Sequence, residues 1–174
     1  MTKIVFSGFG GQGIMTLGQL LAAMAMKVGK QVSWLPSYGA EMRGGTANCS
    51  VVISHLPIGN PYVLSDIDIL CAFNLPSIDK FLPHVRPGGT VIVNSSIVTH
   101  PVICKQANIL SVDASNIAST LGNAKVQNMV ILGRLMKVLD LFTVDQVTET
   151  LEQVFADKDP ELVSLNLKAL AAGM

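Results

Sequence analysis

Charge is the scarcest ingredient of this chain. Asp, Glu, Lys and Arg make up 14% of its 174 residues and cancel to a net charge of zero, where an average soluble domain carries roughly 25%. With no basic cluster and few aromatics, nucleic-acid binding has no electrostatic footprint. Cysteines number three, Cys49, Cys71 and Cys104. Their wide spacing excludes a metal knuckle or an iron–sulfur run, and the odd count fits a reducing compartment. His55, His84 and His100 stand in expected loops with no partner motif. A long unbroken apolar run is also missing. Ile4 to Met26 has no charge and contains Ala23-Met24-Ala25, which looks like a leader cleavage site. Gly8, Gly10, Gly11, Gln12 and Gly13 interrupt it, which argues against a secretory segment and against a membrane span. The chain reads as cytoplasmic.

The missing charge needs a destination. Gly44 to Ser65 and Pro87 to Cys104 contain no Asp, Glu, Lys or Arg, and mean hydropathy is +0.48. One reading is surface buried against other subunits, because large obligate interfaces are more apolar than ordinary surface. The other is an α/β domain whose central strands are covered on both faces. The first is favoured here.

The pattern predicts strands at Lys3–Ser7, Gln31–Leu35, Asn48–Ser54, Ile67–Phe73, Thr90–Asn94 and Asn108–Val112. Ile14, Leu17, Leu20, Leu21, Met24 and Val28 have helical spacing, with Gly29 as the stop. Leu75–Leu82 reads as a short helix. Pro87-Gly88-Gly89 reads as a turn before the fifth strand, and His55–Ser65 as a loop with room for a hairpin or bulge. Ala124–Leu139, Val144–Phe155 and Pro160–Ala172 read as helices, with Thr143 and Asp159 as N-caps and Pro160 at a first helical position. Alternating strands and helices imply an α/β fold. The expected architecture is a single doubly wound, Rossmann-like domain over residues 1–174, with a mostly parallel sheet and a helical C-terminal segment.

What the chain does have is glycine in a telling order. Gly8-Phe9-Gly10-Gly11-Gln12-Gly13 is a G-x-G-x-x-G between a strand and a helix. The glycines permit a tight turn, close backbone approach and helix–strand packing. The helix N-terminus offers unpaired N–H groups to an anion, and Gln12 adds both donor and acceptor. A dinucleotide fold would confirm the motif with an acid at the end of the second strand. Leu35-Pro36-Ser37 stands there, and no acidic residue precedes Glu41. A Walker lysine is absent too, since Ile14-Met15 follows Gly13. The turn is therefore either an anion site or a tight turn against a neighbouring subunit.

Tyr38-Gly39-Ala40-Glu41-Met42-Arg43-Gly44-Gly45 follows. Arg43 suits carboxylate or phosphate recognition by paired hydrogen bonds, and Gly44 and Gly45 can expose backbone N–H groups beside it. Alternatively Tyr38, Glu41 and Arg43 brace the loop or touch another chain.

The two glycine segments in this order, then Thr46-Ala47, Pro57-Ile58 with Pro61, Asn128-Met129-Val130 with Leu132-Gly133, and Asn166-Leu167-Lys168-Ala169-Leu170 with Gly173, resemble the gamma subunit of the 2-oxoacid:ferredoxin oxidoreductases nearly end to end. Ala40 departs from the proline usual in that family. The resemblance implies part of a multisubunit enzyme that oxidatively decarboxylates a 2-oxoacid, forms acyl-coenzyme A and reduces ferredoxin. It implies partner alpha and beta subunits with thiamine diphosphate and Mg, and a ferredoxin-like subunit with iron–sulfur clusters. It leans to 2-oxoglutarate or 2-oxoisovalerate as substrate. This chain would hold no catalytic or metal-ligating residue. Coenzyme A would be bound at an interface, with Gly8, Gly10, Gly11, Gln12, Gly13, Arg43, Gly44 and Gly45 as its possible contacts. The competing readings are a stand-alone nucleotide-binding regulatory module and an NAD-dependent reductase, the latter opposed by the missing acid.

Overall fold

A computed structural model describes residues 1–37 and 46–174. Strand β1 (Thr2–Phe9) is buried on both faces. Ile4 and Phe6 pack one way and Val5 the other, which is why the segment is apolar without alternation. Helix α1 (Ile14–Lys27) buries Ile14, Leu17, Leu20, Leu21 and Met24 along one stripe. It ends where Gly29 adopts a positive φ of 72° and Lys30 N–H donates to Ala25 O, the glycine stop the sequence predicts.

Strand β2 (Gln31–Ser37) runs through Pro36 instead of ending before it. The strand lies at the sheet edge, where a residue without an N–H costs least. Strands β3 (Thr46–Ser54), β4 (Ile67–Ala72), β5 (Val85–Asn94) and β6 (Asn108–Val112) complete one six-stranded sheet of order β2-β3-β1-β4-β5-β6. β1, β4, β5 and β6 pair in parallel, while β3 pairs antiparallel with both β1 and β2. The sheet is thus mostly parallel, with β3 wedged between β1 and β2.

Three further details differ from the sequence reading. Pro87-Gly88-Gly89 lies within β5, where the pairing with β4 shifts register between Ile67 and Ile69 and Gly88 has a positive φ of 77°. It is a strand irregularity and not a turn. Residues 55–66 contain no hairpin. An unexpected helix, α3 (Ala114–Thr120), follows β6.

The sheet is covered unevenly. Helices α1, α3, α4 (Gln127–Leu139), α5 (Val144–Val154) and α6 (Pro160–Gly173) build the main core on one face. The other face holds α2 (Leu75–Phe81) and two loops pinned by Val63, Val98 and Val102. The helical ends follow the predicted caps. Thr143 accepts from Gln146 N–H in a reciprocal capping box, and Asp159 accepts from Glu161 N–H with Pro160 just inside. Helices α4 and α6 cross backbone to backbone. A Cβ on Gly133 would stand 2.0 Å from Leu170 O, and one on Gly173 would stand 1.9 Å from Val130 O. Among the described residues no helix is long and apolar enough to cross a membrane.

The charge-free stretches divide in the same way. Each supplies a buried strand, β3 or β5, and then a loop with exposed apolar side chains. Strands covered on both faces thus account for part of the missing charge, and exposed apolar loops hold the rest.

Candidate functional site at the glycine turn

The sheet reverses its winding between β1 and β4. From β1 the chain moves through α1 toward β2, and from β4 through α2 toward β5. Ligands of open α/β sheets bind outside the C-terminal strand ends at such a point. The glycine turn occupies that position.

Three of its residues have distinct physical requirements. Gly8 is still within β1, and a Cβ there would lie 2.5 Å from Gln12 Oε1 and 2.8 Å from Phe73 Cβ. Crowding, not turn geometry, demands this glycine. Gly11 has φ 93° with open space around it. Gly13 has φ 76°, and a Cβ on it would lie 2.3 Å from Asn128 Nδ2 of α4. Gln12 closes the turn on itself. Its N–H donates to Phe9 O at 3.2 Å, and its Oε1 accepts from Phe9 N–H at 2.6 Å. The acceptor the sequence reading offered to a ligand is thus spent on the loop.

Gly13 is the N-cap of α1, so no side chain caps the helix, and its first turn holds no acid. The opening N–H groups therefore keep their positive end of the helix dipole uncompensated. A hollow of about 260 Å³ lies here, lined by Phe9, Gly10, Gly11, Gly13, Ile14, Met15, Thr16 and Ala47. Its chemistry suits an anionic group beside an apolar one.

Tyr38, Glu41, Arg43, Gly44 and Gly45 lie outside the described residues. Their flanks do not. Ser37 pairs with Asn48, Ala47 with Gly8 and Thr46 with Phe9. The sheet therefore anchors both ends of the second glycine segment beside the first.

Sequence reasoning missed a row of buried polar residues along this edge. Ser7 donates to Ser77 Oγ at 2.8 Å, and Ser77 donates to Asn74 Oδ1 at 2.6 Å. Asn74 Nδ2 is buried without a partner among the described residues. Asn94 donates to Ser115 Oγ and Gln127 Oε1 at 3.0 and 3.1 Å. The available signal was local, since Ser7, Asn74 and Asn94 each end an apolar strand run.

The cysteines do not fit a cluster. Cys49 and Cys71 are buried on the strands flanking β1, each paired with Phe6. Burial pushes the Cys49 thiol up to about 12, although Trp34 beside it works the other way. Trp34 Nε1 is buried with no hydrogen-bond partner among the described residues. Cys49 itself donates to Ile14 O at 3.4 Å. Burial raises Cys71 further, and the neighbouring Cys49 adds to the shift. Among the described residues no three His, Cys, Asp or Glu side chains group to hold a metal ion.

Residues 3–174 match the family model described as pyruvate ferredoxin/flavodoxin oxidoreductase. The chain belongs to this family. It is 37% identical over 98% of its length to ketoisovalerate oxidoreductase subunit VorA of Methanothermobacter marburgensis, of which it spans 35%. It is 32% identical to 2-oxoglutarate synthase subunit KorC of Methanocaldococcus jannaschii, over 98% of this chain and 91% of KorC. Among solved structures, the gamma subunit of a keto/oxoacid ferredoxin oxidoreductase from Geobacter sulfurreducens is 29% identical at a TM-score of 0.83, over 99% of this chain and 96% of that one. The 2-oxoglutarate:ferredoxin oxidoreductase of Magnetococcus marinus, solved with 2-oxoglutarate, coenzyme A and succinyl-CoA bound, is 25% identical at a TM-score of 0.90, over 99% of this chain and 30% of that one. The fold thus occurs in this family both as a separate chain and as about a third of a longer one.

Proposed function

We propose that residues 1–174 form one gamma-type domain that serves as a subunit of a 2-oxoacid:ferredoxin oxidoreductase. The observation that carries the reading is the match across nearly the whole of this chain and nearly the whole of a separate gamma subunit. The complex would convert a 2-oxoacid and coenzyme A to acyl-coenzyme A and carbon dioxide, passing electrons to ferredoxin. Thiamine diphosphate with Mg, and iron–sulfur clusters, supply the decarboxylation and electron-transfer chemistry on alpha, beta and ferredoxin-like partners. The relatives named for ketoisovalerate and 2-oxoglutarate favour those two acids. A stand-alone regulatory module has no comparable support.

Within that assembly this chain helps bind coenzyme A. The N–H groups of the glycine turn and of the first turn of α1 face the anionic part of the ligand. Ile14, Met15 and Ala47 offer apolar contact beside them, and Arg43 with Gly44 and Gly45 completes the anion site from the adjoining segment. The test is anaerobic purification of the tagged chain from its own host, then assay for coenzyme A-dependent reduction of a low-potential acceptor with each candidate 2-oxoacid. Activity with one acid, carried by larger co-purifying chains, is expected. A lone inactive monomer overturns the reading.

A further inference from the structure

The thinly covered face of the sheet differs chemically from the helical one. Val63, Val98 and Val102 hold the loops at residues 55–66 and 95–107 onto it. From these loops Leu56, Tyr62, Leu64 and Ile103 point outward with 72, 60, 79 and 84% of their surface exposed. No Asp, Glu, Lys or Arg occurs from residue 55 to 65 or from 95 to 104. A groove of about 310 Å³ runs beside the first loop, lined among others by Leu35, Tyr62, Leu64 and Phe81. The helical side is the reverse, with Asp145, Glu149, Glu152, Asp157, Lys158 and Asp159 on and after α5. The loop face carries only a balanced set of charges, with exposed Asp66 and Lys105 at the loop ends and exposed Asp79 and Lys80 on α2. Exposed apolar side chains gathered on one face mark an interaction site.

We propose that this loop face seats an apolar, uncharged surface of the larger polypeptide that accompanies this domain in its relatives. The proposal rests on the subunit reading above. The occupant follows from two observations. This domain makes up 35% of VorA and 30% of the Magnetococcus chain, yet nearly all of KorC and of the Geobacter subunit. Where the domain is a separate chain, only a non-covalent face can keep it with the remainder. The charges on this face, Asp66, Asp79, Lys80 and Lys105, cancel, so an acidic electron carrier or a nucleic acid finds no excess of counter-charge on it. A flat aliphatic surface on the order of 800 Å², the usual contribution of one partner, is its chemical complement.

The test uses the tagged chain expressed in its own host and purified without oxygen. Leu64→Lys and Ile103→Lys place an unpaired charge in the contact, which a desolvated apolar interface does not accommodate. Both positions are exposed, so the fold is retained, and unchanged thermal unfolding of the tagged chain verifies it. Val154→Lys on α5, where the native residue is 47% exposed, is the control on the opposite side. The unmodified chain and Val154→Lys should recover the partner chains, identified by mass, in fixed proportion. Leu64→Lys and Ile103→Lys should lower that proportion roughly tenfold or more. Full recovery by both loop variants overturns the proposed face while leaving the subunit reading intact. An unmodified chain recovered alone as a monomer overturns the subunit reading and the face with it. A homodimer dissolved by Leu64→Lys replaces the proposed occupant with a second copy.

Discussion

Gly133 and Gly173 serve each other's helix. The first lets the carbonyl of Leu170 approach α4, and the second lets the carbonyl of Val130 approach α6. Neither close contact involves a flexible side chain that could move aside. Gly133→Ala and Gly173→Ala must each push the helices apart, at about 1–3 kcal/mol or more. Chemical denaturation should show a lowered midpoint for both. Wild-type stability in either variant would mean that the helices do not cross so closely.

The glycine turn should show a graded response. Gly11→Ala meets only the left-handed backbone penalty, about 1–2 kcal/mol, because the space beside it is open. Gly13→Ala adds a collision with Asn128 and should cost clearly more. Asn128→Ala in the Gly13→Ala background should recover part of the loss, a coupling of about 0.5–3 kcal/mol. Additive losses measured across this double-mutant cycle would contradict the contact.

Thiol chemistry should separate the cysteines. Cys49 and Cys71 are buried with raised thiol pKa values, and Cys104 is only partly covered. At pH 8 a disulfide reagent should titrate Cys104 alone in the native protein, and all three cysteines after denaturation. A folded-state pKa above the unfolded value means that the native state holds its proton more tightly. The contribution from Cys49 is then complete below its ordinary value of 9.0 and is lost as pH rises toward about 12. Alkaline stability should fall in that window, and Cys49→Ser should flatten the fall. Rapid native labelling of Cys49 would contradict its burial.

Arg43→Ala, introduced into the assembled complex, should raise KM for coenzyme A several-fold and change kcat less, because a uniform binding contact is removed. An unchanged KM in an intact complex would remove Arg43 from the site.

Much of the fold was legible because its signals are local. The β6 limits, the cap at Thr143 and the Asp159-Pro160 start each rest on a few adjacent residues. Helix α3 was not legible. It is one short polar run, Ala-Ser-Asn-Ile-Ala-Ser-Thr, in which only Ala114 and Ala118 are buried, too little for a periodic stripe. Pro87-Gly88-Gly89 looked like a turn because its residues favour one, and they do form the register shift inside β5, between the pairings of Val85 and Thr90 with β4. The glycine turn could be located from sequence. The partner that makes Gly13 indispensable could not, since Asn128 lies more than a hundred positions away and reaches it only through packing of α4. The spent acceptor of Gln12 depended on a side-chain rotamer that no pattern encodes.

The antiparallel β3 has one more effect, on specificity. In a dinucleotide fold the strand after the glycine helix lies directly beside the first, so an acid at its end can reach the ribose held over the turn. Here β3 occupies that adjacent lane, and β2 ends two strand spacings from β1, roughly 10 Å away. Installing Asp at Ser37 would therefore not create a nicotinamide-cofactor site. Strand order, rather than the residue at the end of β2, keeps an acid placed there away from the turn.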